Sequence, residues 1–325
     1  MGAGKYASFF CPHFPACVPE MPGMRAGVTQ NHPNAMTTTE TKHALATAVT
    51  AARAAGKMMR DNLNKAKKIN EASQHDIKLD LDVRCQKRIE QTLRKAFPTI
   101  PILGEEGILG DPEAPVRWVV DPIDGTVNFT YGIPHACVSI ALQQHVPGSE
   151  FQVSSSPKSV GKLKTRNSKP ERHPFESIVG VVYDPFTDEM WTAIRGQPAR
   201  LNGKVIHVSD RKKLKEAIVA LGFAKQRSTL NKMLPVFNDL IHRVRKVRIM
   251  GAAALALVYV GTGRMDAYLE YGLRLWDIAA GGLIVECAGG EFWSEAVGDD
   301  YTYRILASNG PIARPLEKAA KSGLS

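Results

Sequence analysis

The sequence predicts an α+β protein built in layers around two β-sheets. Two observations carry that prediction. Helix and strand signals come in blocks and not in strict β–α–β alternation, which argues for segregated layers over a single parallel sheet. The composition, 44% hydrophobic and 23% charged over 325 residues, is that of an ordinary globular protein with room for one large domain or two. No internal repeat is visible.

The elements follow in order. Thr37-Thr38-Thr39-Glu40 forms a capping box, and Leu45, Val49, Ala52, Ala55 and Met59 recur at helical spacing, so a long amphipathic helix is predicted over 38–63. Residues 76–82 alternate polar and apolar. Val83, Ile89, Leu93 and Phe97 predict a second helix, ended by Pro98. Ile102-Leu103-Gly104 is a short strand running into Glu105-Glu106. Trp118-Val119-Val120 is a buried strand that ends in Asp121-Pro122-Ile123-Asp124, after which Gly125-Thr126 can open a helix. Strand signals continue at 135–146, 177–183, 189–194 and 205–208, with an Asn202-Gly203 turn before the last. A short strand at 217–220, a helix at 230–244 and a strand at 247–250 lead to Gly251-Ala252-Ala253, which opens another helix. Strands at 265–271, 290–293 and 304–307 and helices at 276–288 and 314–321 complete the chain.

Two segments fall outside this pattern. Residues 1–36 hold Pro12, Pro15, Pro19, Pro22 and Pro33, with no helical or strand period. They lack the basic start and continuous apolar core of a signal peptide, and Tyr6 stands where a myristoylation motif needs Ser or Thr. A disordered extension is expected there, with the ordered domain spanning 37–325 and Met36 as an alternative start. Residues 147–176 carry Ser154-Ser155-Ser156, Lys158, Lys162, Lys164, Arg166, Lys169 and Arg172, and are expected to be a disordered basic insertion.

Composition also excludes function classes. The net charge is +10, but several of the cations sit in the insertion, and no basic stripe interleaved with aromatics appears, so no nucleic-acid partner is expected. The cysteines (Cys11, Cys17, Cys85, Cys137, Cys287) are odd in number and spread out, with neither a CxxC pair nor zinc spacing, which fits reduced thiols. No apolar run reaches the ~18 residues of a membrane span. Ser322-Gly323-Leu324-Ser325 is not a peroxisomal signal, so a cytoplasmic location is expected.

The chemistry lies in carboxylates at the ends of apolar segments: Glu105, Glu106, Asp121, Asp124, Asp277 and, less clearly, Asp82. Any one of them reads as a turn residue. If they converge, like charges within ~4–6 Å cannot all stay ionised without cations, and all-oxygen ligation points to magnesium over zinc. Gly125 and Thr126 amides at a helix start suit a phosphate, and Thr126 can relay a water's proton to Asp82. There is no GxSxG, no P-loop, no dinucleotide fingerprint and no cysteine beside a candidate base.

Gly104-Glu105-Glu106, Asp121-Pro122-Ile123-Asp124-Gly125-Thr126, Trp276-Asp277-Ile278-Ala279-Ala280-Gly281 and the trailing Ala288-Gly289-Gly290 together resemble the signatures of the inositol monophosphatase family. The resemblance runs from about residue 40 to 310, interrupted by the insertion. It implies a layered αβαβα sandwich of the sugar-phosphatase type, a homodimer, two or three Mg2+ ions per site and inhibition by lithium. It implies that Glu105, Asp121, the Ile123 carbonyl, Asp124 and Asp277 ligate metal, and that Glu105, Thr126 and Asp82 serve catalysis. Asp124, Gly125, Thr126, Gly251, Ala252, Ala253, Glu270 and Asp277 would bind substrate, with Glu106 supporting the site from behind. The implied activity is hydrolysis of an inositol monophosphate, D-myo-inositol 1-phosphate. Arg274, between Glu270 and Asp277, leaves fructose 1,6-bisphosphate or 3′-phosphoadenosine 5′-phosphate open as bisphosphate alternatives, and histidinol phosphate as a third. The lysine the family carries before position 76 has no clean counterpart; Lys67 or Lys68 stands nearest. A catalytically dead scaffold docking acidic partners through the insertion is the reading from a different class, and the intact acid set argues against it.

Overall fold

The computed structural model describes residues 36–72, 77–146, 175–223, 227–298 and 300–324. The predicted disordered segments at 1–36 and 147–176 lie outside the described residues, except at their edges. There Met36 donates its N–H to Gln144, and Phe175-Glu176 form the start of a strand, with the Arg117 guanidinium 3.6 Å above the Phe175 ring.

The chain opens with α1 (Thr38–Asn62), β1 (Ile69–Ala72), β2 (Ile77–Leu79) and α2 (Asp80–Ala96), followed by β3 (Ile102–Gly104), β4 (Gly107–Leu109), β5 (Val116–Asp124) and the short α3 (Thr126–Thr130). Next come β6 (Cys137–His145), β7 (Phe175–Asp184), β8 (Glu189–Ile194), β9 (Arg200–Leu201), β10 (Lys204–Val205) and β11 (Ile218–Leu221). The remainder is α4 (Arg227–Leu240), β12 (Lys246–Arg248), α5 (Ala253–Gly261), β13 (Ala267–Arg274), α6 (Leu275–Cys287), β14 (Glu291–Ala296), β15 (Thr302–Ser308) and α7 (Ala313–Leu324).

Local chemistry explains most of these boundaries. The capping box of α1 forms as predicted: Glu40 N–H donates to Thr37 Oγ1 at 3.2 Å and Thr37 N–H to Glu40 Oε2 at 2.8 Å. Helix α2 starts three residues before the predicted Val83. The Asp82 carboxylate takes the Leu79 N–H at 2.7 Å, and Asp80 and Asp82 both sit in the electropositive first turn. Asp82 is therefore a buried residue of a helix start and not the end of an extended segment. The strand predicted at 205–208 ends at Val205, because Ile206 N–H bonds the Ala199 carbonyl and Val208 N–H the Ala288 carbonyl. Asn202 and Gly203 make the predicted turn with φ of 47° and 81°.

Two sheets carry the fold. In the larger the strands lie in the order β10-β9-β8-β7-β6-β5-β3-β4; in the smaller, β12-β11-β13-β15-β14. Most neighbours are antiparallel, but β3 runs parallel to β5, and β11 parallel to both β12 and β13. Helices α1 and α2 cover one face of the larger sheet. Helices α5 and α6 fill the space between the sheets, and α4 and α7 cover the outer face of the smaller one. This is the αβαβα sandwich, and its three apolar interiors correspond to the three helix layers, the middle one packed against both sheets.

The middle layer is set by a close approach. A Cβ on Gly180 of β7 would stand 2.8 Å from the Ala280 carbonyl oxygen and 3.3 Å from its Cα, so α6 rests directly on the sheet backbone. Gly180→Val should lower stability by about 1–3 kcal/mol through overpacking, read as a lower urea midpoint at unchanged slope. An unchanged midpoint would show that α6 shifts freely.

Candidate active site

The site starts from the end of β5. Asp121 still pairs in register with Ser139, but the ladder slips before Asp124 pairs with Cys137. Pro122, with no N–H to give, occupies the slip, and Asp121 Oδ1 accepts the Ile123 N–H at 2.9 Å. The bulge turns both carboxylates toward one cavity. Gly125 then adopts φ 89°, and a Cβ there would meet the His135 carbonyl oxygen at 2.9 Å, so only glycine turns the chain into α3 at this point. Thr126 Oγ1 donates back to the Ile123 carbonyl at 2.9 Å.

The other acids arrive from separate elements. Glu105 follows β3, whose Gly104 is level with Val120, and its N–H bonds the Val120 carbonyl at 3.1 Å; this places it beside Asp121. Asp277 stands in the first turn of α6 and accepts the Arg274 N–H at 2.7 Å. Asp124 accepts the N–H groups of Ala253 (3.1 Å) and Ala254 (2.8 Å), capping α5 from across the cavity, and the Cys137 thiol lies 3.6 Å from its Oδ2.

Carboxylate oxygens of Asp121, Asp124 and Asp277 come within 4.8 Å of one another. Burial first, then Glu105, Asp124 and Asp277, holds the Asp121 carboxyl well above the usual carboxylate range. Asp124 is pushed up to about 7 by burial and by Asp277, against the pull of the Ala254 and Ala253 amides. A like-charged, all-oxygen cluster of this kind, with Asp121 and Asp124 buried and Asp277 half-buried, fits a hard divalent cation, whose charge removes the repulsion the acids otherwise suffer.

The cavity above the cluster is about 620 Å³. Of the residues predicted from sequence, Glu105, Asp121, Ile123, Asp124, Gly125, Thr126, Gly251, Ala252, Ala253, Glu270 and Asp277 all line it. Asp82 does not line it; its carboxylate serves the start of α2. Glu106 is held by its backbone N–H, which donates to Gln86 Oε1 at 2.9 Å. Lys67 donates to the Leu63 and Lys65 carbonyls and lies 4.9 Å from the Phe129 ring, while Lys68 approaches Asp80 at 3.8 Å. Arg274 lines the cavity, but its guanidinium is held by Asp300 Oδ2 at 2.5 Å and Thr302 Oγ1 at 2.8 Å.

Three contributors escaped the sequence reading. Asn128 Nδ2 donates to the His135 and Met250 carbonyls, each at 2.9 Å, and so ties α3 to the segment before α5. Tyr268 is buried and its hydroxyl donates to Glu270 Oε2. Gly222, at the end of β11, leaves the space that the Glu270 carboxylate fills: a Cβ there would overlap Oε2. Tyr268 had a signal, since it stands two residues before Glu270 on one strand and so on the same face.

Comparison with known proteins agrees with this geometry. The profile of the Inositol monophosphatase family matches residues 40–147 and 175–323. Nus factor SuhB of Pseudomonas aeruginosa is 38% identical over 251 residues, 75% of this chain and 82% of that one. Inositol monophosphatase of Mesembryanthemum crystallinum is 33% identical over 279 residues, 83% of this chain and 92% of that one. Among solved structures, the extragenic suppressor protein suhB of Bartonella henselae superposes with a TM-score of 0.71 at 30% identity, covering 86% of this chain and 99% of that one. The sequence motifs, the three helix layers about two sheets and the convergent acids make one consistent case: the chain belongs to the inositol monophosphatase family.

Proposed function

We propose that the protein is a magnesium-dependent phosphatase that hydrolyses inositol monophosphate, D-myo-inositol 1-phosphate, to myo-inositol and phosphate. The observation that carries the reading is the cluster of buried Asp121 and Asp124 with half-buried Asp277 and Glu105, in a cavity also lined by Gly125-Thr126 and the start of α5. In this reading Glu105, Asp121, the Ile123 carbonyl, Asp124 and Asp277 would hold Mg2+, which, when bound, acidifies water and withdraws charge from the phosphate oxygens. Glu105 and Thr126 orient the attacking water. The amides of Gly125 and Thr126 receive the phosphate, and Gly251, Ala252 and Ala253 form the wall against the rest of the substrate. For Thr126 to pass a proton toward Asp82, its hydroxyl must turn away from the Ile123 carbonyl that it now faces. Glu270 contacts the polyol hydroxyls. The Arg274 charge, already answered by Asp300, favours a monophosphate over a bisphosphate. The name Nus factor on bacterial relatives favours a second reading, a role in transcription beside catalysis.

Asp121→Asn should cut phosphate release about a hundredfold or more while the circular dichroism spectrum stays native. Retained turnover would remove Asp121 from the chemistry. Release from D-myo-inositol 1-phosphate should exceed that from fructose 1,6-bisphosphate, 3′-phosphoadenosine 5′-phosphate and histidinol phosphate, should require magnesium and should fall with lithium. Faster turnover of a bisphosphate would keep the mechanism and replace the substrate. No turnover, with binding to a transcription complex, would favour the second reading.

The raised carboxyls also give a pH dependence. A carboxyl whose folded value lies above its unfolded one stabilises the fold below the unfolded value, and that contribution is lost as pH rises through the folded value. For Asp124 the window runs from 3.8 to about 7. In chelator, the melting temperature should therefore carry a falling component across this window, and magnesium at pH 7 should raise it again in the native protein but not in Asp121→Asn. An equal magnesium effect in both would place the ion elsewhere.

A further inference from the structure

Glu270 occupies a seat built by two residues, Tyr268 and Gly222. Tyr268 and Glu270 stand on one face of β13, separated by Leu269, whose side chain points to the opposite interior. The Tyr268 ring is buried in the layer between the sheets, and its hydroxyl proton goes to Glu270 Oε2. Burial, then Glu270, then the charges of Asp124 and Asp277 hold this phenol well above its ordinary value, so it stays a donor. On the other side, Gly222 continues β11 alongside β13, with its N–H on the Leu269 carbonyl at 3.3 Å. A Cβ at 222 would lie 1.5 Å from Glu270 Oε2 and 2.1 Å from Cδ, so no residue with a side chain permits this carboxylate position.

We infer that Tyr268 and Gly222 are positioning residues for selectivity: the Tyr268 hydroxyl and the empty space at Gly222 together hold the Glu270 carboxylate where it meets the hydroxyl groups of a polyol phosphate. The inference rests on the proposed reaction and adds to it how the non-reacting half of the substrate is distinguished. A carboxylate fixed by a buried donor presents its remaining lone pairs in one direction, and a site built to bond substrate hydroxyls discriminates strongly against esters that lack them. Without the Tyr268 proton, Glu270 loses the buried donor that fixes its Oε2. With a methyl group at 222, the carboxylate is forced out of its present position.

The test compares two substrates in the native enzyme and in Tyr268→Phe and Gly222→Ala, each with magnesium: D-myo-inositol 1-phosphate and p-nitrophenyl phosphate, which carries no hydroxyl groups beyond its phosphate. The quantity read is the ratio of kcat/KM between the two. Tyr268→Phe should lower that ratio roughly tenfold, the effect of one hydrogen bond to a charged group, mainly through KM for the inositol ester. Gly222→Ala should lower it at least as far. A ratio unchanged in Tyr268→Phe, whether both activities hold or both fall together, overturns the inference, since loss of folding or of metal moves both substrates alike. Absence of phosphate release from either ester by the native enzyme would instead overturn the proposed reaction, so the two failures are told apart.

Discussion

Gathering several carboxylates into a buried space is unfavourable unless something holds each of them and something cancels their charge, and this constraint shapes the middle of the molecule. Like charges a few ångströms apart in a low dielectric repel by several kcal/mol, far more than one surface ion pair contributes. The chain answers by giving the acids backbone partners. Asp121 takes the Ile123 N–H, Asp124 the amides of Ala253 and Ala254, and Asp277 that of Arg274. The bonds to Asp124 and Asp277 each fix a carboxylate at the start of a helix, α5 and α6, while the bond to Asp121 lies within β5 at its bulge. Burial and then the residual repulsion hold the Asp121 and Asp124 carboxyls above the usual range, and a divalent cation offsets both.

The layered architecture exists around that meeting point. Strands β3 and β5 are parallel neighbours, so Glu105 and Asp121 leave the larger sheet at the same end. Helices α5 and α6 lie between the sheets and start at the cavity, which brings the amides of 253–254 and the carboxylate of Asp277 to the same place. The bare backbone at Gly180 sets how deep α6 sits. Strand β13 of the smaller sheet then presents Glu270 from the far side.

Much of this was legible in the sequence because the signals were local. The capping box of α1, the apolar run of β5 and the acid–proline–acid–glycine order that follows all act over a few residues, and the structure places them as read. The start of α2 was misread because Ile77, Leu79 and Leu81 alternate like a strand, whereas the helix is begun by the bond from Leu79 N–H to Asp82. The strand expected at 205–208 failed for a different reason: its amides find carbonyls at Ala199 and Ala288, partners that no local pattern reveals. Arg274 looked available for an anion because Asp300, which holds it, lies 26 residues on, just before β15. The space at Gly222 is likewise a property of two strands meeting and not of either alone.

Asp124 belongs to two structures at once. Both of its oxygens accept amides at the start of α5, so the residue serves the helix as well as the acid cluster. An asparagine there retains one acceptor and turns an N–H2 group toward a backbone N–H. Replacing Asp124 therefore disturbs the start of α5 whether or not the site turns over substrate. The presence of Asp124 by itself is thus a poor witness to activity, because the helix alone gives it a structural use.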